Sequence, residues 1–204
     1  LRINHKNKLI GVSIPKSGSH TMFKLMEESF GAVKHGSFHG VEAPENCIDY
    51  SAFAFVRNPY ERAVSIYHML ANPGNGSDLM RLINHEYYKQ EVKDLEFETF
   101  CAWLGNCPEE SMVYEASTSQ YDHLRDSNIT TIHTIKIDDK PLRELNKFLT
   151  NAGLFSIYKL PEENFGNHNY YELSYHTQRC WDLINEWAKK DFKEYKYALR
   201  NNGN

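Results

Sequence analysis

The chain has 204 residues, of which 41% are hydrophobic and 25% charged, enough for one well-buried core and short for two domains, so a single domain over 1–204 is expected. A net charge of −4 argues against a nucleic-acid or membrane-surface partner, which calls for a basic excess. The four cysteines, Cys47, Cys101, Cys107 and Cys180, form no C-x-x-C pair and are too few to staple a chain this long, so most are expected as free core thiols. No apolar run approaches the roughly 18 residues that span a bilayer.

In chain order, "KLIGVSI" (8–14) reads as a short buried strand. After a bend, Met22, Phe23, Leu25, Met26 and Phe30 recur at helical spacing. "VKHGSFHG" (33–40) predicts a short strand opening into a Gly- and His-rich loop. "SAFAFV" (51–56) is a second buried strand ended by Asn58-Pro59, and Ala63, Ile66, Tyr67 and Leu70 then make one apolar stripe on a helix. A loop over 72–78 and helical patterns over 79–92 and 94–104 follow. "TTIHTIKI" (130–137) is a β-branched third strand, and "KPLRELNKFLTNAG" a helix closed by Gly153. Residues 154–172 look irregular and aromatic, the kind of long loop that often serves function. A last helix carries Cys180, Leu183, Ile184, Trp187 and Ala188 on one face. Strands alternating with helices of this length imply crossover connections, a parallel sheet covered by helices on both faces, and ligands bound beyond the carboxyl ends of the strands.

Two loops leave strands at that edge. In "SIPKSGSHT" (13–21) a glycine-containing bend feeds a helix N-terminus, where unpaired N–H groups and the helix dipole favour an anion. Gly18 lets the backbone approach a ligand, Lys16 adds a full charge, and Ser17, Ser19 and Thr21 offer hydroxyls. The ATPase pattern G-x-x-x-x-G-K-S/T is absent, because the lysine precedes the glycine. An ordinary turn with a serine cap would read the same way on this stretch alone. In "FVRNPYERAVSIY" (55–67), Arg57 stands just beyond a strand, and at about 100° per residue Ser65 points away from the apolar stripe. A guanidinium and a hydroxyl could so meet a second phosphate, with a solvated helix face as the plain alternative.

Together these loops resemble the sulfotransferase family that uses 3′-phosphoadenosine 5′-phosphosulfate (PAPS). "PKSGSHT" is similar to its 5′-phosphosulfate loop. "VRNPYERAVSIY" is similar to its 3′-phosphate element, in the form V-R-x-P-(Phe or Tyr)-E-R-x-x-S-x-Y of the carbohydrate, heparan and chondroitin branch. "SQYDHL", "HTIKIDD" and "NYYELSYHTQRCWDLINEWAKKDFKEYKY" continue the likeness over most of the chain. The resemblance implies a P-loop-NTPase-like α/β fold of three α/β/α layers around a parallel sheet. It places Lys16 and the backbone of Ser17, Gly18, Ser19, His20 and Thr21 on the 5′-phosphosulfate, Arg57 and Ser65 on the 3′-phosphate, and no metal. Many soluble members of the family carry Trp where Thr21 stands, and no Arg-Lys-Gly-type loop occurs late in this chain.

The implied reaction moves a sulfuryl group to a hydroxyl, most naturally on a saccharide, and needs a base for the hydroxyl proton. His39 of "HGSFHG" is the first choice and His35 the second, on the likeness to the His segment of heparan sulfotransferases; Glu27 and Glu28 are rivals. A metal pair at His35 and His39 lacks accompanying ligands at suitable spacing. Asn167, His168 and Tyr170 are further loop candidates, and the aromatics of 154–175 a candidate acceptor wall. The alternatives are a P-loop nucleotide or nucleoside kinase, for which a Walker lysine is missing, and a catalytically silent nucleotide-binding module, which would not depend on His39. An acidic chain without an anchor is expected in the cytoplasm, with the Golgi lumen as the alternative where an anchor has been removed. Two N-glycosylation triplets, at Asn75 and Asn128, are of a kind common by chance.

Overall fold

A computed structural model of the chain describes residues 1–70, 92, 95–111, 114–161, 175 and 177–201. They group into two compact units, one of Leu1–Asn58 and Gln120–Phe165, the other of Pro59–Ser119 and Gly166–Asn204.

The first unit is built on a five-stranded sheet ordered β3-β1-β2-β4-β5, with β1 (Arg2–Asn4), β2 (Leu9–Val12), β3 (Val33–Lys34), β4 (Ser51–Val56) and β5 (Ile132–Lys136). β2, β4 and β5 run parallel in register, Gly11 opposite Phe53 and Phe53 opposite His133. The expected parallel sheet is therefore mixed: β1 pairs antiparallel with both β2 and β3. β1 escapes sequence reading because three residues are too few to show a period. The hairpin turn is set by Asn4, whose side-chain oxygen accepts from the Asn7 N–H at 2.6 Å, and by Lys8 at φ 49°.

Pleat alternation sends Leu9, Gly11, Phe53, Phe55 and Ile135 toward α1 (Ser19–Phe30), which supplies Met22, Leu25 and Met26 to the same core. Gly11 permits the close approach, since a Cβ there would stand 2.4 Å from the Met22 sulfur. The helix Pro141–Asn151 packs on this core through Leu145 and Leu149, and Phe148 stacks on His133. It closes as expected with Gly153 at φ 74°. Ile10, Val12, Ala52, Ala54 and Val56 are buried on the opposite face of the sheet.

The second unit is helical. We number its helices with the others in chain order: α2 (Pro59–Leu70), α3 (Phe97–Leu104) and α4 (Tyr114–Ser117), then α5 (Gln120–Arg125) and α6 (Pro141–Asn151) of the first unit, then α7 (Gln178–Trp187) and α8 (Lys189–Tyr195). The single C-terminal helix expected is broken at Ala188 into α7 and α8. Cys180, Ile184 and Ala188 face the unit's core as the periodicity requires, while Leu183 and Trp187 are half-buried. At its centre Arg62 is fully buried and donates to the carbonyls of Ala116 and Thr118, both at 3.0 Å. Burial lowers its pKa to about 10, against the pull of the equally buried Asp191 carboxylate. The guanidinium also lies 5.4 Å from the Trp187 ring. Tyr60 ties down the C-terminal segment, donating to the Asn185 side chain and accepting from the Arg200 N–H.

Cys47, Cys101 and Cys180 are buried free thiols and Cys107 a half-buried one. No described helix is long and apolar enough to cross a membrane. Residues 72–78, most of 79–92, and Asn167, His168 and Tyr170 lie outside the described residues.

Candidate functional site

The parallel strands β2 and β4 end side by side, and each hands over to a loop that carries a cation. After β2 the chain turns at Pro15 and Lys16, with Lys16 at φ 62° and the Ser17 N–H bonded back to Ile14 O at 3.2 Å. Gly18 follows at φ 86°, a conformation glycine takes without strain, and a Cβ there would lie 2.2 Å from Ile137 Cδ1 beyond β5. The loop thus crosses the edge of the sheet from β2 to the end of β5. α1 then starts at Ser19 with no side-chain cap and no acidic residue in its first turn. The N-terminus of such a helix and its dipole favour an anion.

The three hydroxyls behave differently from expectation. Ser17 and Ser19 are buried, and their hydroxyls donate inward, to Gln120 Oε1 at 2.6 Å and to Ile14 O at 2.7 Å. They brace the loop rather than line it. Thr21 is also buried, and the His20 ring is exposed, 5.6 Å from that of Phe38. The anion-binding character of 16–21 consequently rests on Lys16 and the backbone.

Arg57 follows Val56 at the end of β4 and is half-exposed. Its main chain is gripped at both polar groups by Gln120, the first residue of α5. Gln120 Oε1 accepts from Arg57 N–H at 2.8 Å, and Nε2 donates to Arg57 O at 2.9 Å. The same Oε1 takes the Ser17 hydroxyl, so one buried amide joins the loop of Lys16 to that of Arg57. Sequence reading placed Gln120 in a family-like stretch, "SQYDHL", but gave it no role. Its partners are 63 and 103 residues away, so no local pattern could reveal them.

Ser65 lies on α2 in the second unit and is 5% exposed. A polar side opposite the apolar stripe is not what the helix shows, because Arg62, Val64 and Ser65 are buried with Ala63 and Ile66. The amphipathic reading fails where a buried arginine counts as polar in a pattern yet is packed as core.

His39 is held beside the β2 end: its Nδ1 is 2.7 Å from the hydroxyl of buried Ser13. The backbone carbonyl of Ser13 accepts from His123 Nε2 at 3.0 Å, which fixes the proton of that ring on Nε2. Around His39 the loop is pinned by Phe38, edge-on to Phe23 at 4.6 Å, and by Ser127 and Asn128, which bond Val41 and Ala43. The Asn128 glycosylation triplet is thus a structural clasp. His35 has an exposed side chain, and its backbone N–H pairs with Leu1 O. Glu27 is ion-paired with Arg2, and Glu28 is exposed on α1. Among the described residues, no group of three or more His, Cys, Asp or Glu is placed to hold a metal ion.

Of the aromatics between 154 and 175, Phe155 stacks on Phe30 with its other side exposed, and Tyr158 is fully exposed. Tyr175 belongs instead to the core of the second unit, its hydroxyl 3.0 Å from His68 Nε2.

Comparison with curated proteins and with solved structures gave no match. The sequence model described as the sulfotransferase family matches residues 1–200, nearly the whole chain. With an α/β sheet whose parallel strands deliver a lysine loop and an arginine loop to one edge, the chain belongs to the sulfotransferase family.

Proposed function

We propose that the protein transfers the sulfuryl group of PAPS to a hydroxyl of a saccharide acceptor. The observation that carries this reading is the joining of the Ser17 hydroxyl and the Arg57 main chain through Gln120, which sets two cationic loops side by side at the carboxyl edge of parallel strands. A donor with a 5′-phosphosulfate and a 3′-phosphate offers one anion to each. Lys16 and the N–H groups that follow Ser17 at the start of α1 take the first, the Ser17 N–H being spent on Ile14 O, and Arg57 takes the second. Ser65 is assigned to the 3′-phosphate by its place in the V-R-x-P-Y-E-R-x-x-S-x-Y pattern alone. The saccharide acceptor rests on the same pattern, which is that of the carbohydrate branch.

In the reaction the acceptor oxygen forms a bond to sulfur in line with the sulfur–oxygen bond to the 5′-phosphate, which breaks. Negative charge grows on the departing phosphate oxygen, where Lys16 and the uncapped start of α1 stabilise it. The acceptor proton goes to His39. The ring is oriented by a buried hydroxyl, and in the tautomer whose Nδ1–H donates to Ser13 Oγ the lone pair is on Nε2, an arrangement suited to a general base.

Transfer of radiolabelled sulfuryl from PAPS to a panel of oligosaccharides tests the reading. Lys16→Ala should abolish transfer, and His39→Ala should lower turnover about 10² to 10⁴-fold with donor affinity kept. Undiminished turnover in His39→Ala would remove His39 as the base, and product-nucleotide binding without transfer to any acceptor would favour a silent binding module.

A further inference from the structure

We infer that Gln120 is a positioning residue that sets the spacing between the two anion subsites, so that the protein recognises the separation of the donor's phosphates as well as their charge. This rests on the donor reading above. Gln120 is completely buried at the start of α5 and reaches no solvent. Three of its bonds go to the two anion loops: it accepts from Ser17 Oγ and from Arg57 N–H and donates to Arg57 O. A residue serving α5 alone would cap α5. This amide instead ties the side chain of Ser17, the residue after Lys16, to the backbone of Arg57.

The consequence for binding is specific. Within one nucleotide the 5′- and 3′-phosphates stand at a separation set by the ribose. Once the first phosphate is bound, the second meets its subsite at a high effective concentration only if the protein keeps the matching separation. A 5′-monophosphate uses one subsite and is indifferent to that spacing. Loosening the bridge should therefore cost the bisphosphate far more than the monophosphate. A residue that merely helps the fold would weaken both alike.

Calorimetry with adenosine 3′,5′-bisphosphate and with 5′-AMP reads the difference. Gln120→Met, which fills the space without polar groups, should reduce the bisphosphate-over-monophosphate affinity ratio at least tenfold. Ser17→Ala, which cuts only one of the three bonds, should reduce it less and serves where Gln120→Met does not fold. Gln120→Glu adds a chemical check. As a neutral acid it can rebuild all three bonds, its O–H donating to Arg57 O, whereas the carboxylate loses that donor and places a negative charge beside the anions. Its ratio should thus recover toward wild type between pH 7.5 and pH about 5, compared with wild type at each pH. Equal losses for both nucleotides, or an unchanged ratio in these variants, overturn the inference. A wild-type preference for the bisphosphate that survives Gln120→Met sinks this inference alone; a wild type with no such preference sinks the donor reading and this inference with it.

Discussion

Gly18→Ala probes the anion loop with a single methyl group. At φ 86° and ψ 28° the residue sits in the left-handed region, which costs an alanine about 1–2 kcal/mol. The new Cβ would also stand 2.2 Å from Ile137 Cδ1, far inside contact distance, with Phe55 Cβ next at 3.8 Å. Only the tip of Ile137 obstructs it, so a rotamer change at a cost of about 1 kcal/mol can clear the space. Together these give a loss of about 2–3 kcal/mol, or roughly 5–10 °C in a chain of this size. The steric part is separable. Ile137→Val deletes Cδ1 and should itself cost about 1 kcal/mol. In the Gly18→Ala background it should cost close to nothing, a coupling of about 1 kcal/mol. All three tryptophans, Trp103, Trp181 and Trp187, lie in the second unit, so unfolding in urea should be followed by far-UV circular dichroism rather than fluorescence. A Gly18→Ala loss under 0.5 kcal/mol, or strict additivity with Ile137→Val, would refute the geometry of the loop on which the anion site rests.

Other expectations follow from the second unit and from the loop of His39. Arg62→Ala leaves Asp191 buried without its cation and orphans the carbonyls of Ala116 and Thr118, and should cost about 3–5 kcal/mol in urea unfolding followed by tryptophan fluorescence; a loss under 1 kcal/mol would contradict this. Burial raises the Tyr60 phenol above its ordinary 10.0, so its contribution is fully present below pH 10 and is lost as pH rises through the raised value. Wild type should then lose stability in that alkaline window while Tyr60→Phe loses less, and parallel alkaline curves would count against it. Ser13→Ala, which removes the partner of His39 Nδ1, should lower kcat more than tenfold with KM for the donor unchanged; an unaltered kcat would detach Ser13 from the proton path.

How far the sequence carried the fold depends on the range of the interaction involved. β2, β4 and β5 emerge with nearly their true bounds because a short apolar run rich in β-branched or aromatic residues between turn signals suffices to mark a buried strand. Lys16, Gly18 and Arg57 were legible for the same reason, each being attached to a strand end in the chain itself. The inward turn of the Ser17 and Ser19 hydroxyls was not, since a short loop gives no sign whether a hydroxyl meets a ligand or the loop's own carbonyls. Gln120 and the Arg62–Asp191 pair depend on groups brought together only by folding, across 63 to 129 positions of chain. Nothing in the "WAKKDF" stretch signals the break at Ala188, and the structure suggests no physical reason for it.

The most direct measurement is titration calorimetry of the wild type with adenosine 3′,5′-bisphosphate, 5′-AMP and ATP without metal, repeated with Arg57→Ala. Tight binding of the bisphosphate, weak binding of the other two, and an Arg57→Ala loss confined to the bisphosphate are the predicted result. Preference for ATP, or an equal Arg57→Ala loss for bisphosphate and monophosphate, would contradict two subsites spanned by one donor.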